Sequence, residues 1–223
     1  MNGPLALVGG GEWRDGCDFD AELLAASGGE EVLVMPTAAA YEHPERAVAA
    51  ATAWFAGLGA KVRGLDVLQR RDALDAERAA EVRRARFVYL SGGSPLHLRS
   101  VLKETPVWNA LAAAWDDGAV VAGSSAGAMV LCDPMVDPRG GAFTVGLGLV
   151  VNLAVLAHAE ADVTHDHLHH RTLELAGAGL AVAAISERSA LLRDPDGTWR
   201  AGGAGPVRVF VDGHEAGLSA LPG

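Results

Sequence analysis

The residues from Gly123 to Ala128, Gly-Ser-Ser-Ala-Gly-Ala, have the types and spacing for nucleophilic chemistry. Gly123, Ser125 and Gly127 form a G-x-S-x-G pattern. The apolar run Ala119-Val120-Val121-Ala122 precedes it and Met129-Val130-Leu131 follows, so it falls on a turn from a buried strand into a helix. In that context the motif reads as a nucleophile elbow, a strained turn that lifts one side chain above the carboxyl edge of a sheet. Strand and helix backbones nearly touch at such a turn, and every residue here is Gly, Ala or Ser. A chain with 28 glycines also meets this spacing by chance. A reactive serine further needs a general base, an acid that orients the base, and donors for an oxyanion.

An elbow has to stand on a sheet, and the rest of the chain supplies one. Apolar runs at 5–8, 31–36, 61–66 and 86–90 read as strands. Helical patterns at 17–26, 44–58, 75–84, 96–102 and 106–117 separate them. In the second of these, Ala47, Val48, Ala51, Trp54, Phe55 and Leu58 share one face of a 3.6-residue period. Asp75 is placed to cap one helix, and Thr105-Pro106 to begin another. The alternation predicts an α/β protein with a mostly parallel sheet, read as one domain over 1–223. Ligands of such sheets bind at the carboxyl ends of strands. Gly9-Gly10-Gly11-Glu12, Ser91-Gly92-Gly93-Ser94-Pro95 and Ser125 all belong on that edge. The first is neither G-x-G-x-x-G nor a P-loop, and reads as a tight turn. Near the C-terminus, 191–193 and 198–200 flank Asp194-Pro195-Asp196-Gly197, a hairpin signal. The run 180–186 is a strand that leads to Glu187, and 207–211 closes the sheet region.

Composition narrows the function classes. Half of the 223 residues are apolar, enough for a sizeable core. The net charge of −10, with no basic run of five residues, argues against nucleic acid as a partner. The two cysteines, Cys17 and Cys132, form no metal or disulfide pattern. The N-terminus lacks the basic-then-apolar pattern of a signal peptide, and no apolar run is long enough to span a bilayer. A cytoplasmic protein with no membrane partner is the expectation.

Four of the eight histidines crowd into Thr164-His165-Asp166-His167-Leu168-His169-His170-Arg171. They admit three readings: metal ligands, although no ligand spacing such as H-E-x-x-H is present; solvated residues at a polar helix start; or the general base for Ser125.

The segments Gly9-Gly10-Gly11-Glu12, Met35-Pro36-Thr37-Ala38, Ser91-Gly92-Gly93 and Ser124-Ser125-Ala126-Gly127-Ala128 together resemble peptidase family S51. That family includes cyanophycinases and α-aspartyl dipeptidases. The resemblance runs along nearly the whole chain. It implies a three-layer, class I glutamine amidotransferase-like α/β fold and a Ser-His-Glu triad with Ser125 as nucleophile. The family's histidine lies in a D-x-H-F-x-x-R-type segment. Matching it to 165–171 selects His167 as the base and keeps Arg171, with His165 in place of Asp and Leu168 in place of Phe. The family's acid follows a later strand, which selects Glu187; Asp133 and Asp137 are further candidates. Asp166 adjoins His167, but side chains of neighbouring residues point apart.

The N–H of Ala126, directly after the nucleophile, is the expected first oxyanion donor, and Gly93 the second. Gly92, Ser94 and Arg171 are the expected substrate contacts. On the substrate side this chain departs from cyanophycinases. Ser94-Pro95 stands where they carry Asp-Gln, and Thr172-Leu173-Glu174 where they carry further arginines.

The reading is therefore a cofactor-independent serine peptidase, with no metal, acting on a small peptide, with aspartyl or β-aspartyl peptides as the implied class. A homodimer is the expectation for assembly. Two other classes share the same residues: a binding protein that has lost its activity, and an acyltransferase or esterase. A glutamine amidotransferase would want cysteine at position 125.

Overall fold

The computed structural model describes residues 1–159 and 167–223. The strands and helices of its first half alternate: β1 (Leu5–Val8), α1 (Phe19–Ser27), β2 (Glu31–Met35), α2 (Pro44–Gly57), β3 (Lys61–Gly64), α3 (Arg70–Ala73), α4 (Ala76–Arg84), β4 (Phe87–Leu90), α5 (Pro95–Leu102), α6 (Pro106–Asp116), β5 (Val120–Ser124) and α7 (Ala126–Leu131). Short strands follow: β6 (Cys132–Asp133), β7 (Met135–Val136), β8 (Phe143–Thr144) and β9 (Val150–Val151). The chain continues through β10 (Leu153–Leu156), α8 (His167–Leu175), β11 (Ala181–Ile185), β12 (Ser189–Arg193), β13 (Trp199–Gly203), β14 (Val207–Val211) and β15 (His214–Ala216).

The main sheet runs β13-β12-β1-β5-β4-β2-β3. Strands β1 to β5 are mutually parallel, and the β12–β13 hairpin adds two strands antiparallel to its neighbours. This is an α/β fold with a mainly parallel central sheet between helices. Side chains of a strand alternate between faces, and β1 shows the result. Leu5 and Leu7 enter one core with α5, α6 and α7, whereas Ala6 and Val8 enter the other with α1 and α2. Helix starts follow their local chemistry. Asp75 accepts from the N–H groups of Glu77 and Arg78, and Thr105 Oγ1 from that of Trp108.

A second sheet, β10-β11-β14-β15, was not visible in the sequence pattern. Its first two strands are parallel and fully buried. The run 207–211 belongs to this sheet, paired antiparallel with β11, and not to the main one. Residues 186–188 carry the chain from β11 across to β12, from one sheet to the other. No helix among the described residues is long and apolar enough to cross a membrane.

Candidate active site

Ser125 follows β5 and caps α7 with φ 49° and ψ −108°. Such a backbone costs a non-glycine residue about 1–3 kcal/mol and collects at functional positions. The close approach that forces small residues here is measurable. A Cβ on Gly123 would sit 2.5 Å from the carbonyl carbon of Gly127, and one on Gly127 2.4 Å from the Leu90 oxygen. The Ser125 N–H donates to the Val8 carbonyl (2.9 Å), which ties the elbow to β1.

Ser125 Oγ lies 2.8 Å from Nε2 of His158. Nδ1 of that ring lies 3.0 Å from Oε1 of Glu187. His158 follows β10 and Glu187 follows β11, so two adjacent parallel strands of the second sheet deliver them at their carboxyl ends. His158 and Arg188 also have positive φ, 54° and 57°.

The turn Gly9-Gly10 fastens these loops to the main sheet. The Gly9 carbonyl accepts from the His158 N–H (2.7 Å), and the Gly10 carbonyl from the Arg188 N–H (2.7 Å). A Cβ on Gly9 would fall 2.2 Å from the Ser186 carbonyl oxygen. One on Gly10, where φ is +125°, would fall 2.3 Å from Cε1 of the His158 ring. These glycines do more than make a tight turn, since Gly10 leaves room for the imidazole and Gly9 for the main chain of Ile185 and Ser186.

Glu12 completes the frame. Its Oε2 accepts from the Ser124 hydroxyl (2.7 Å) and its Oε1 from the Gly92 N–H (3.1 Å). One carboxylate thus joins the elbow to the glycine turn after β4. With the Gly92 N–H taken, the Gly93 and Ala126 N–H groups have no backbone or side-chain acceptor among the described residues. Both belong to segments that border Ser125.

Sequence reasoning selected His167 as the partner of Ser125, and the geometry corrects this. His167 begins α8, is exposed, and is not among the residues lining the cavity at Ser125. The mismatch has a sequence cause. Set on His158, the D-x-H-F-x-x-R pattern meets Leu156, Ala159 and Asp162 at its other positions, and only the histidine survives. The signal that could have found it is positional. His158 closely follows the apolar run Leu153–Leu156, as Ser125 and Glu187 closely follow theirs.

Glu187, expected to orient His167, is bonded to His158 instead, whereas Asp133 and Asp137 bind elsewhere, Asp133 to the Gly146 N–H and Asp137 to Arg139. The Arg139 guanidinium pulls the Asp137 carboxyl down to about 2. Ser94 caps α5 by accepting from the His97 N–H (3.3 Å). Arg171 is exposed on α8 and does not line the cavity at Ser125. His165 and Asp166 lie outside the described residues. Among the described residues no group of three or more His, Cys, Asp or Glu side chains is placed to hold a metal ion.

A cavity of about 380 Å³ opens beside Ser125, His158 and Gly93. A second, of about 320 Å³, also borders His158, with Glu187, Arg188 and Gly205.

The sequence model of peptidase family S51 matches residues 5–197. A cyanophycinase of Synechococcus elongatus is 32% identical over 160 residues, covering 66% of this chain and 49% of that protein. A cyanophycinase of Nostoc sp. is 31% identical over 144 residues, covering 64% and 48%. The chain thus spans about half the length of these curated relatives. Among solved structures, a peptidase from an acI-B1 Actinobacterium superposes with a TM-score of 0.86 at 29% identity, covering 97% of this chain and 93% of that one. A putative peptidase E protein from Listeria monocytogenes has the same fold, with a TM-score of 0.69 at 19% identity, over 92% of this chain and 100% of that one.

Proposed function

Because the chain belongs to peptidase family S51, we propose that it is a serine peptidase that hydrolyses an amide bond in a small peptide. Ser125 is the nucleophile, His158 the general base and acid, and Glu187 the group that orients His158. The observation that carries this reading is the unbroken chain Ser125 Oγ–His158 Nε2, His158 Nδ1–Glu187 Oε1, at 2.8 and 3.0 Å, hung on a strained elbow.

Each step follows from that chain. Neutral His158 accepts the Ser125 proton at Nε2 as Oγ attacks the carbonyl carbon. Glu187 accepts a hydrogen bond from Nδ1–H, which selects the tautomer with its lone pair on Nε2 and stabilises the imidazolium that forms, without taking the proton itself. The Gly93 and Ala126 N–H groups face the developing oxyanion. A donor of this kind contributes about 3–4 kcal/mol to transition-state stabilisation. The imidazolium then protonates the leaving amine, and water releases the acyl group by the reverse sequence. His158 and Glu187 are about half exposed, with side chains 51% and 55% accessible, so the imidazole borders solvent, the source of the hydrolytic water.

The test is hydrolysis of a panel of short peptides by wild type and Ser125→Ala, with fluorophosphonate labelling alongside. The expected result is labelling of Ser125 alone and loss of turnover by ~10⁴-fold or more in the variant. Folded wild-type protein that neither labels nor cleaves any peptide would be a binding protein on a peptidase scaffold, and the proposal would fall.

A further inference from the structure

We infer that the cavity beside Ser125 is the pocket for the side chain on the acyl side of the scissile bond, and that it takes an apolar residue, such as Leu, Met or Phe, in preference to an acidic one. The inference rests on Ser125 being the nucleophile.

The walls of this cavity come from the elements that carry the reacting groups. Met129 stands four residues after Ser125 on α7, one turn along the same face. Val155 and Leu156 end β10 just before His158. Val136 comes from β7, Pro138 follows it, and Leu168 comes from the first turn of α8. A peptide carbonyl held between Ser125 and the Gly93 N–H has this surface next to its own side chain. The volume, about 380 Å³, is at the low end of small-ligand pockets and suits one side chain with its flanking backbone.

The charges argue the same way. A buried carboxylate is expensive unless a guanidinium, an ammonium or a set of N–H donors meets it. No Lys or Arg lines the cavity among the described residues. Among the described residues His169 is the one titratable lining group besides His158. Two carboxylates already border the nucleophile. Glu12 reaches Gly92 and Ser124, and Glu187 reaches His158. A third carboxylate arriving from the substrate would add to the negative charge around the nucleophile with no lining Lys or Arg to offset it. An apolar side chain instead gains by burying its surface against Met129 and its neighbours, and methionine adapts to residues of different shape.

The experiment measures kcat/KM for X-Ala dipeptides and X-p-nitroanilides, X being Leu, Met, Phe, Ser, Lys or Asp, on protein whose Ser125 labels with fluorophosphonate. Leu, Met or Phe is expected to exceed Asp by ~10-fold or more, the scale of discrimination a hydrophobic pocket gives. Leu168→Arg places a cation at the partly exposed rim and is expected to move the Asp-to-Leu ratio upward by ~10-fold or more. If that variant does not fold, protection of wild-type Ser125 from labelling by free methionine against free aspartate reads the same preference. Labelled enzyme that prefers Asp, through His169 for instance, would overturn the pocket assignment and leave the serine peptidase intact. Labelled enzyme that cleaves none of the apolar substrates would overturn it equally. Failure of labelling would remove the catalytic reading and this inference with it.

Discussion

At the residue scale, two histidines nine positions apart in the chain have opposite surroundings. His158 stands between a serine hydroxyl and a carboxylate, whereas His167 stands exposed at the start of α8. Substitution separates them. His158→Ala is expected to lower kcat by ~10⁴-fold or more, because it removes the base hydrogen-bonded to Ser125 Oγ. His167→Ala is expected to stay within a few-fold of wild type. Glu187→Gln keeps the size of the side chain but can present an N–H to Nδ1, which favours the wrong tautomer. A loss of ~10⁴-fold in kcat is expected, with KM little changed. Steady-state kinetics on one cleaved peptide checks all three. Equal losses at His158 and His167 would mean that the geometry around Ser125 is not the catalytic one.

At the element scale, the turn after β1 is the part on which the site depends. Its two glycines bind the loops after β10 and before β12 through main-chain groups, and their missing side chains make the contact possible. Gly10→Ala is expected to cost stability by about 1–3 kcal/mol for a Cβ at φ +125°. It also pushes the His158 ring out of line, and a misplacement of about 1 Å costs on the order of 10²-fold in rate. Gly28→Ala is the control. That residue has φ +103° with nothing within 4 Å of the added Cβ. It is expected to lose stability in the same range while keeping kcat. Denaturant unfolding beside kcat measurements resolves the two effects, and equal kcat losses in both variants would show that backbone strain alone is at work.

At the scale of the whole molecule, the core beneath α1 and α2 contains a carboxyl group. Asp20 is fully buried, with Oδ2 accepting from Trp54 Nε1 at 3.0 Å and Oδ1 without a partner among the described residues. Burial pushes its pKa up to about 8, against the opposing effect of the Trp54 hydrogen bond. The unfolded value is about 3.9, so between these two pH values the folded state holds a proton that the unfolded state has lost. This group's contribution is full below pH 4 and is lost as pH rises to about 8, at up to ~1.4 kcal/mol per pH unit. Asp20→Asn can still accept from Trp54 but does not titrate. Its stability relative to wild type is expected to rise steadily from pH 5 to 8 and then level off. Urea unfolding across that range checks it, and a constant difference would mean that Asp20 is ionised when buried.

How much of this was legible in the chain itself follows from the range of each interaction. The elbow could be read because strand, turn, nucleophile and helix are contiguous, and small residues betray the close approach. The caps at Asp75 and Thr105 and the β12–β13 hairpin were readable for the same reason, since each depends on a few consecutive residues. The parallel main sheet followed from the alternation of strand and helix patterns. The partner of Ser125 was not readable, because His158 is 33 residues away, in the loop after a strand of a different sheet. That second sheet hid in the sequence because β10 follows β9 with a single residue, Asn152, between them, and no turn signal separates the two strands. The histidine-rich segment meanwhile matched the family pattern better. Residue types and local turns were enough to predict a serine elbow on a parallel sheet and the chemistry a serine there can do, while the acid after a late strand came from the resemblance to the family. Which histidine meets the serine was decided only when the turn at Gly9-Gly10 docked one sheet's loops on the other, because packing between distant strands leaves no periodic trace in either strand.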